Sequence, residues 1–181
     1  MSEVPVPSPL EAFLPAVQGW FRQTFRAPTR PQVEGWPPIQ RGDHTLILSP
    51  TGSGKTLAAF LWGINQLYVE VHKAEATNDD DSRDEGVRLL YISPLKALNN
   101  DVERNLRAPL AGIRRVAEEQ GAPLPRLDVL VRTGYTPQAV RRRMDKRPPH
   151  ILSTTPESLY LILTSPVARD MFRTVRTVIV D

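Results

Sequence analysis

Ser49-Pro50-Thr51-Gly52-Ser53-Gly54-Lys55-Thr56 is the stretch whose residue types and spacing point most directly to chemistry. It follows the pattern G-x-x-x-x-G-K-[ST], with Ser49 in place of the first glycine. Small residues let backbone N–H groups turn inward around phosphate oxygens, and a helix starting at the end of the loop adds its positive dipole. Lys55 is placed to reach β and γ phosphates, and Thr56 to offer its hydroxyl to Mg²⁺. Thr51, Gly52, Ser53, Gly54, Lys55 and Thr56 are thus candidate contacts for a nucleoside triphosphate. The plain alternative is a Gly-rich turn with a solvated lysine. The apolar run before the loop and the helical stretch after it count against that alternative.

A second pattern repeats along the chain. Ser93-Pro94, Thr136-Pro137 and Thr155-Pro156 each set a hydroxyl residue before a proline, as at the start of a helix that follows a strand. In a parallel sheet such starts share one rim with the phosphate loop, and a row of them can grip a phosphodiester backbone without reading bases. Lys96, Asn99, Thr133 and Gly134 add donors to that rim. Taken singly, each pair is also an ordinary helix cap. Arg141, Arg142, Arg143, Lys146 and Arg147 form a dense cationic patch, which suits either steering of nucleic acid or a solvated helix face. Arg114 and Arg115 face Glu118 and Glu119 at helical spacing and read as intrahelical pairs.

The elements that must position these groups follow from periodicity. TLILS (45–49), VRLLYIS (87–93), LDVLVRT (127–133), HILSTT (150–155) and RTVIVD (176–181) are short apolar runs separated by helical stretches, which predicts five strands in a parallel α/β sheet. Ahead of them, a Pro-rich tail (1–9) leads to a helix from Pro15 that ends by Pro28. Thr29 then caps a second short helix, from about Arg30 to Gly35, broken by Pro37 and Pro38. The domain reading is a tail with helices over 1–44 and a nucleotide-binding α/β domain over 45–181. The acidic stretch 73–86 reads as a mobile surface loop.

The length of 181 residues and 40% hydrophobic content suit one folded domain of ordinary size. Without cysteine there is no disulfide framework, thiol nucleophile or Cys-based zinc site, and the isolated His44, His72 and His150 argue against a metal cluster. The N-terminus lacks signal-peptide order and no run approaches a membrane span, so the expectation is a cytoplasmic protein with no membrane partner. The net charge of +3 is uneven: residues 1–100 carry nine basic and eleven acidic side chains, residues 101–181 fourteen and nine. The positive field therefore lies with the C-terminal part.

The ordered set Pro28-Thr29-Arg30-Pro31-Gln32, SPTGSGKT (49–56), SPLKALNND (93–101), RTGYTP (132–137), TTPESL (154–159) and VIVD (178–181) resembles a superfamily 2 helicase of DEAD/DEAH-box type. More narrowly, it is similar to the first RecA-like lobe of the large helicase-related (Lhr) type. The resemblance covers roughly residues 15–181. It implies a P-loop NTPase fold, ATP and Mg²⁺ as cofactors, and a 3′ to 5′ translocase on single-stranded nucleic acid, with DNA favoured over RNA. By that resemblance Gln32 lies on the adenine edge; the plain alternative is a capping or exposed glutamine. Lys55, Thr56 and Asp181 are catalytic, with Thr56 and Asp181 holding the metal. Ser93, Pro94, Lys96, Asn99, Thr133, Gly134, Thr155 and Ser158 contact the strand backbone. Tyr135 stands where the family more often has an acidic residue.

In that family a glutamate follows the aspartate matched by Asp181, and a second lobe supplies an arginine finger. The resemblance thus implies a lobe cut after its Walker B strand, with the second lobe as partner. It also implies that a strand normally lying between the phosphate-loop strand and the Asp181 strand is missing, which leaves unpaired edges and uncovered apolar side chains. Two other functions are compatible with the loop alone: a non-catalytic module that binds nucleotide or nucleic acid, and a small P-loop kinase. The kinase leaves the hydroxyl-proline series unexplained.

Overall fold

The computed structural model describes residues 8–77, 86–94 and 96–181, with the backbone alone for 74–77 and 96–105. The tail before residue 8 and most of the acidic stretch expected to be a surface loop lie outside the described residues. The chain divides into two compact units, one of residues 1–66 and 112–123 and one of residues 67–111 and 124–181.

The first unit is built on aromatic packing. Helix α1 (Pro15–Thr24) starts on a proline, and α2 (Arg30–Gln40) follows Thr29. Phe13, Phe21 and Trp36 are buried and stack edge to face, with ring centroids 5.0 Å apart for Phe13–Trp36 and 5.6 Å for Phe21–Trp36. Trp36 also donates its indole N–H to the Ala58 carbonyl at 3.2 Å, tying α2 to helix α3 (Lys55–Thr77). The buried Asn65 accepts the Leu14 N–H at 2.7 Å and closes the entry to α1. Helix α4 (Lys96–Glu119) brings Gly112 under Trp20, where an added Cβ would stand 2.4 Å from the indole ring. No larger residue fits there.

Two sequence expectations fail in this unit. Helix α2 is not broken at Pro37 and Pro38 but runs through both to Gln40. Both prolines fall in its last turn, where the lost N–H bonds are those to the carbonyls of the exposed Val33 and Glu34, and Arg41 and Asp43 bond back to the proline carbonyls. The segment 45–49 is not a strand: among the described residues it joins no ladder. Its period-two pattern survives. Ile47 packs toward Gly35 of α2, whereas Leu46 and Leu48 point outward at 82% and 84% exposure.

The second unit holds four parallel strands, β1 (Leu89–Ile92), β2 (Val129–Arg132), β3 (Ile151–Thr154) and β4 (Thr177–Val180), in the order β2-β3-β1-β4. Among the described residues four strands, not five, thus make the sheet. Leu90 and Leu152 pack with Val87, Ile162, Ala168 and Met171 under helices α6 (Pro156–Thr164) and α7 (Pro166–Arg169). Helix α5 (Gln138–Lys146) is tied to β2 by an Arg132–Asp145 ion pair at 2.6 Å, with side chains only 12% and 23% exposed. At the opposite ends of β2 and β3, His150 accepts the Asp128 N–H at 3.0 Å. Strand β4 forms one edge of the sheet, with Val178 and Val180 open to solvent. Among the described residues no helix is long and apolar enough to cross a membrane.

Candidate nucleotide and nucleic-acid sites

The phosphate loop belongs to the first unit and has the backbone its glycines allow. Gly52 and Gly54 sit at φ +81° and +89°, the left-handed region that side chains resist. Gly54 has a second constraint: a Cβ there would lie 2.8 Å from Gln32 Nε2 and 3.1 Å from Thr29 Oγ1. Helix α3 begins at Lys55, so its N-terminal dipole is aimed at the loop. The Lys55 ammonium curls back to the carbonyls of Ser49 and Pro50, and the Ser49 and Ser53 hydroxyls are 2.6 Å apart. Thr51 and Thr56 are exposed.

Gln32 is buried, and both ends of its amide are bonded. Its Oε1 accepts the Thr29 N–H at 2.9 Å and its Nε2 donates to the Gly54 carbonyl at 3.4 Å. The residue matched to an adenine contact thus caps α2 and reaches the phosphate loop.

In the second unit, the strand register builds the rim the sequence anticipates. Ile92 aligns with Thr154 and Val180, and Thr154 with Arg132, so Thr133, Thr155, Ser93 and Asp181 each stand one residue past a strand end at one level. At roughly 4.8 Å per strand, the row spans about 14 Å. Thr155 caps α6, accepting the Ser158 N–H at 3.3 Å and donating its hydroxyl to Ser158 Oγ at 3.1 Å. Thr136 does not cap α5: that helix starts a residue later, after Pro137. The Thr136 hydroxyl instead accepts the Thr133 N–H at 2.9 Å and donates to the Val131 carbonyl, folding residues 133–136 into a tight turn. Thr133, Gly134 and Ser158 line one shallow cleft with Arg132 and Arg141. Pro94 is exposed, helix α4 opens at Lys96, and the side chains of Lys96 and Asn99 lie outside the described residues.

Two residues that sequence reasoning missed act on the rim. The buried Tyr91 donates its phenol to Asp181 Oδ2 at 2.7 Å. Burial raises the pKa of this phenol and the Asp181 bond raises it further, while the Ser93 side chain on the same strand face pulls it down. The signal was period two: Tyr91 and Ser93 lie on one face of β1. The other residue is Arg141, which the sequence grouped with a cationic run suited either to steering nucleic acid or to a solvated face, with no separate role of its own. Arg142, Arg143, Lys146 and Arg147 are exposed, but Arg141 folds back over the 133–136 turn. Arg114–Glu118 and Arg115–Glu119 are intrahelical pairs at 3.8 and 3.7 Å, as expected.

The donor chemistry fits Mg²⁺ held on a nucleotide better than a protein-caged metal. Among the described residues no group of three or more His, Cys, Asp or Glu could hold an ion. A single carboxylate such as that of Asp181 and a single hydroxyl such as that of Thr56 are each an oxygen donor of the type Mg²⁺ accepts.

Comparison with known proteins agrees with these features. The sequence profile of the DEAD/DEAH box helicases matches residues 29–181. A Lhr helicase/probable uracil glycosylase of Mycolicibacterium smegmatis is 51% identical over 173 residues, 96% of this chain and 11% of that protein. The Lhr helicase/uracil glycosylase of Escherichia coli is 46% identical over the whole chain and 12% of its own length. The chain therefore spans about a ninth of these relatives. The solved structure of the M. smegmatis helicase Lhr bound to ssDNA and AMP-PNP superposes with a TM-score of 0.86 over 97% of this chain and 21% of that one. Mss116p, bound to ssRNA and AMP-PNP, shares the fold at a TM-score of 0.71 and 18% identity, covering 100% of this chain and 34% of its own.

Proposed function

We propose, for a chain that belongs to the DEAD/DEAH box helicase family, that it is the nucleotide- and strand-binding motor lobe of an ATP-driven, Lhr-type helicase moving 3′ to 5′ on single-stranded DNA. The observation that carries this reading is the level row Thr133, Thr155, Ser93 and Asp181, three hydroxyl residues and one acid at adjacent strand ends. Ser93 and Thr155 are buried, so the helix starts and backbone amides at these strand ends, rather than those two hydroxyls, would meet phosphate oxygens, and the row favours backbone contact over base readout.

On the nucleotide side, Lys55 would exchange its two neutral carbonyl partners for the β and γ phosphate oxygens, so that the acceptor as well as the donor is charged. Amides of Gly52 to Lys55 would complete the cradle. Mg²⁺, when bound, supplies positive charge against the phosphates, and Thr56 and Asp181 are the residues that would hold it. An adenine contact by Gln32 would share the amide that also holds Thr29 and Gly54, which would couple nucleotide arrival to the start of α2.

The test is nucleotide binding and ATP hydrolysis by the chain, each with and without single-stranded DNA. Lys55→Ala should weaken ATP-Mg binding by about tenfold or more, since a hydrogen bond to a charged group contributes about 1.5–3 kcal/mol. Unchanged binding in that variant overturns the assignment of the loop. Turnover that depends on Lys55 supports a motor, and binding without turnover supports a non-catalytic module.

A further inference from the structure

Arg141 stands first in a run of cations, yet its surroundings differ from those of its neighbours. Its Nε donates to the Thr136 carbonyl at 2.7 Å, and its Nη2 donates to the carbonyls of Gly134 at 2.7 Å and Thr133 at 3.3 Å. The Arg141 backbone N–H bonds to Pro137, which seats the residue in the first turn of α5. One planar guanidinium thus gathers three carbonyls of a four-residue turn, a task its fixed fork performs and a lysine ammonium does not. Within the turn, the Thr133 and Tyr135 N–H groups are taken by the Thr136 and Thr133 hydroxyls. Bare carbonyls on that rim would repel an anionic strand, and Arg141 covers them with positive charge.

We propose that Arg141 is a positioning residue, which locks the Thr133–Gly134 turn and neutralises its carbonyl edge so that a nucleic-acid backbone can lie along the rim, without itself binding phosphate. The ligand in this statement rests on the function proposed above. A direct phosphate contact by Arg141 is the competing account, and the two differ in what a lysine can replace.

The experiment uses the full 181-residue chain with a fluorescent dT12 strand titrated over a range of salt, comparing wild type, Arg141→Lys and Arg141→Gln. Both variants should lose about tenfold in affinity, with the dependence of log K on log salt unchanged. If Arg141→Lys binds as wild type does, or if the salt slope falls by about 0.7, the loss of one phosphate contact, the inference is overturned. A measurement on the wild-type chain needs no variant to fold: the Nε–H resonance of Arg141. In the absence of DNA that proton should exchange with solvent more slowly than those of Arg142 and Arg143, and it should not shift when dT12 binds. Exchange as fast as its neighbours, or a shift on binding, overturns the brace. A wild-type chain that fails to bind dT12 sinks the proposed function, and the exchange rate in the free chain then decides the role of Arg141 alone.

Discussion

Gly54 carries two independent demands at one atom. Its φ of +89° costs any other residue about 1–2 kcal/mol, and a Cβ would press on Gln32 and Thr29. Gly54→Ala should therefore lower thermal stability and, by pushing Gln32 out of its bonds, weaken nucleotide binding in the same variant. A titration with a fluorescent ATP analogue alongside a melt checks both. Tyr91 presents the converse case, a side chain whose single hydroxyl matters. Tyr91→Phe keeps the packing of β1 but releases Asp181 Oδ2. The expected result is a several-fold loss of nucleotide affinity in Mg²⁺ and no change in EDTA. Equal affinities of wild type and variant in both conditions would show that the phenol does not set the carboxylate. Neither Tyr91 nor Arg141 stood out in the sequence, because their partners are 90 residues away or are carbonyls that no residue type reveals.

At the scale of elements, strand ends decide the site. Parallel pairing in register puts Thr133, Thr155, Ser93 and Asp181 at one level, which is why three hydroxyl residues and an acid scattered over nearly 90 positions form a row. The opposite ends of β2 and β3 are held by His150, whose pKa burial lowers from its ordinary 6.5. In the unfolded chain the same imidazole takes up its proton near 6.5. The unfolded form thus binds more protons below that pH, and the folded form loses stability as pH falls from 6.5 toward the lower folded value. The Nδ1 that accepts the Asp128 N–H is also the atom a proton would occupy. Melting temperature should fall between pH 7 and pH 5.5, and His150→Gln should flatten that slope. A slope that survives the substitution assigns the pH effect to other groups.

At the scale of the whole molecule, among the described residues, Leu46 and Leu48 in the first unit and Val178 and Val180 in the second stand open, each between 53% and 84% exposed. Apolar groups on extended backbone with unpaired edges invite pairing between chains. Light scattering of the purified chain should rise with concentration at moderate temperature, and Leu48→Lys should move that onset to higher concentration without lowering the melting temperature. A reversible, cooperative melt at high concentration in the wild-type chain would contradict this.

Local chemistry is what the amino-acid sequence settles without help. The Gly-rich loop, the apolar runs at 87–93, 127–133, 150–155 and 176–181, the helix starts at Pro15 and Pro156 and the Thr155 cap depend on neighbours a few residues apart, so composition and period suffice to read them. Pairing is a different matter. Whether 45–49 becomes a strand depends on a partner, not on its own β-branched residues, and α2 outlasts Pro37 and Pro38 because the lost bonds fall in its last turn. The same reason separates Arg141 from Arg142: sequence assigns both the same charge, and only the folded turn supplies three carbonyls within reach of one of them. Long-range contacts are chosen by the tertiary fold, and in this chain they decide which polar groups are free to meet a ligand.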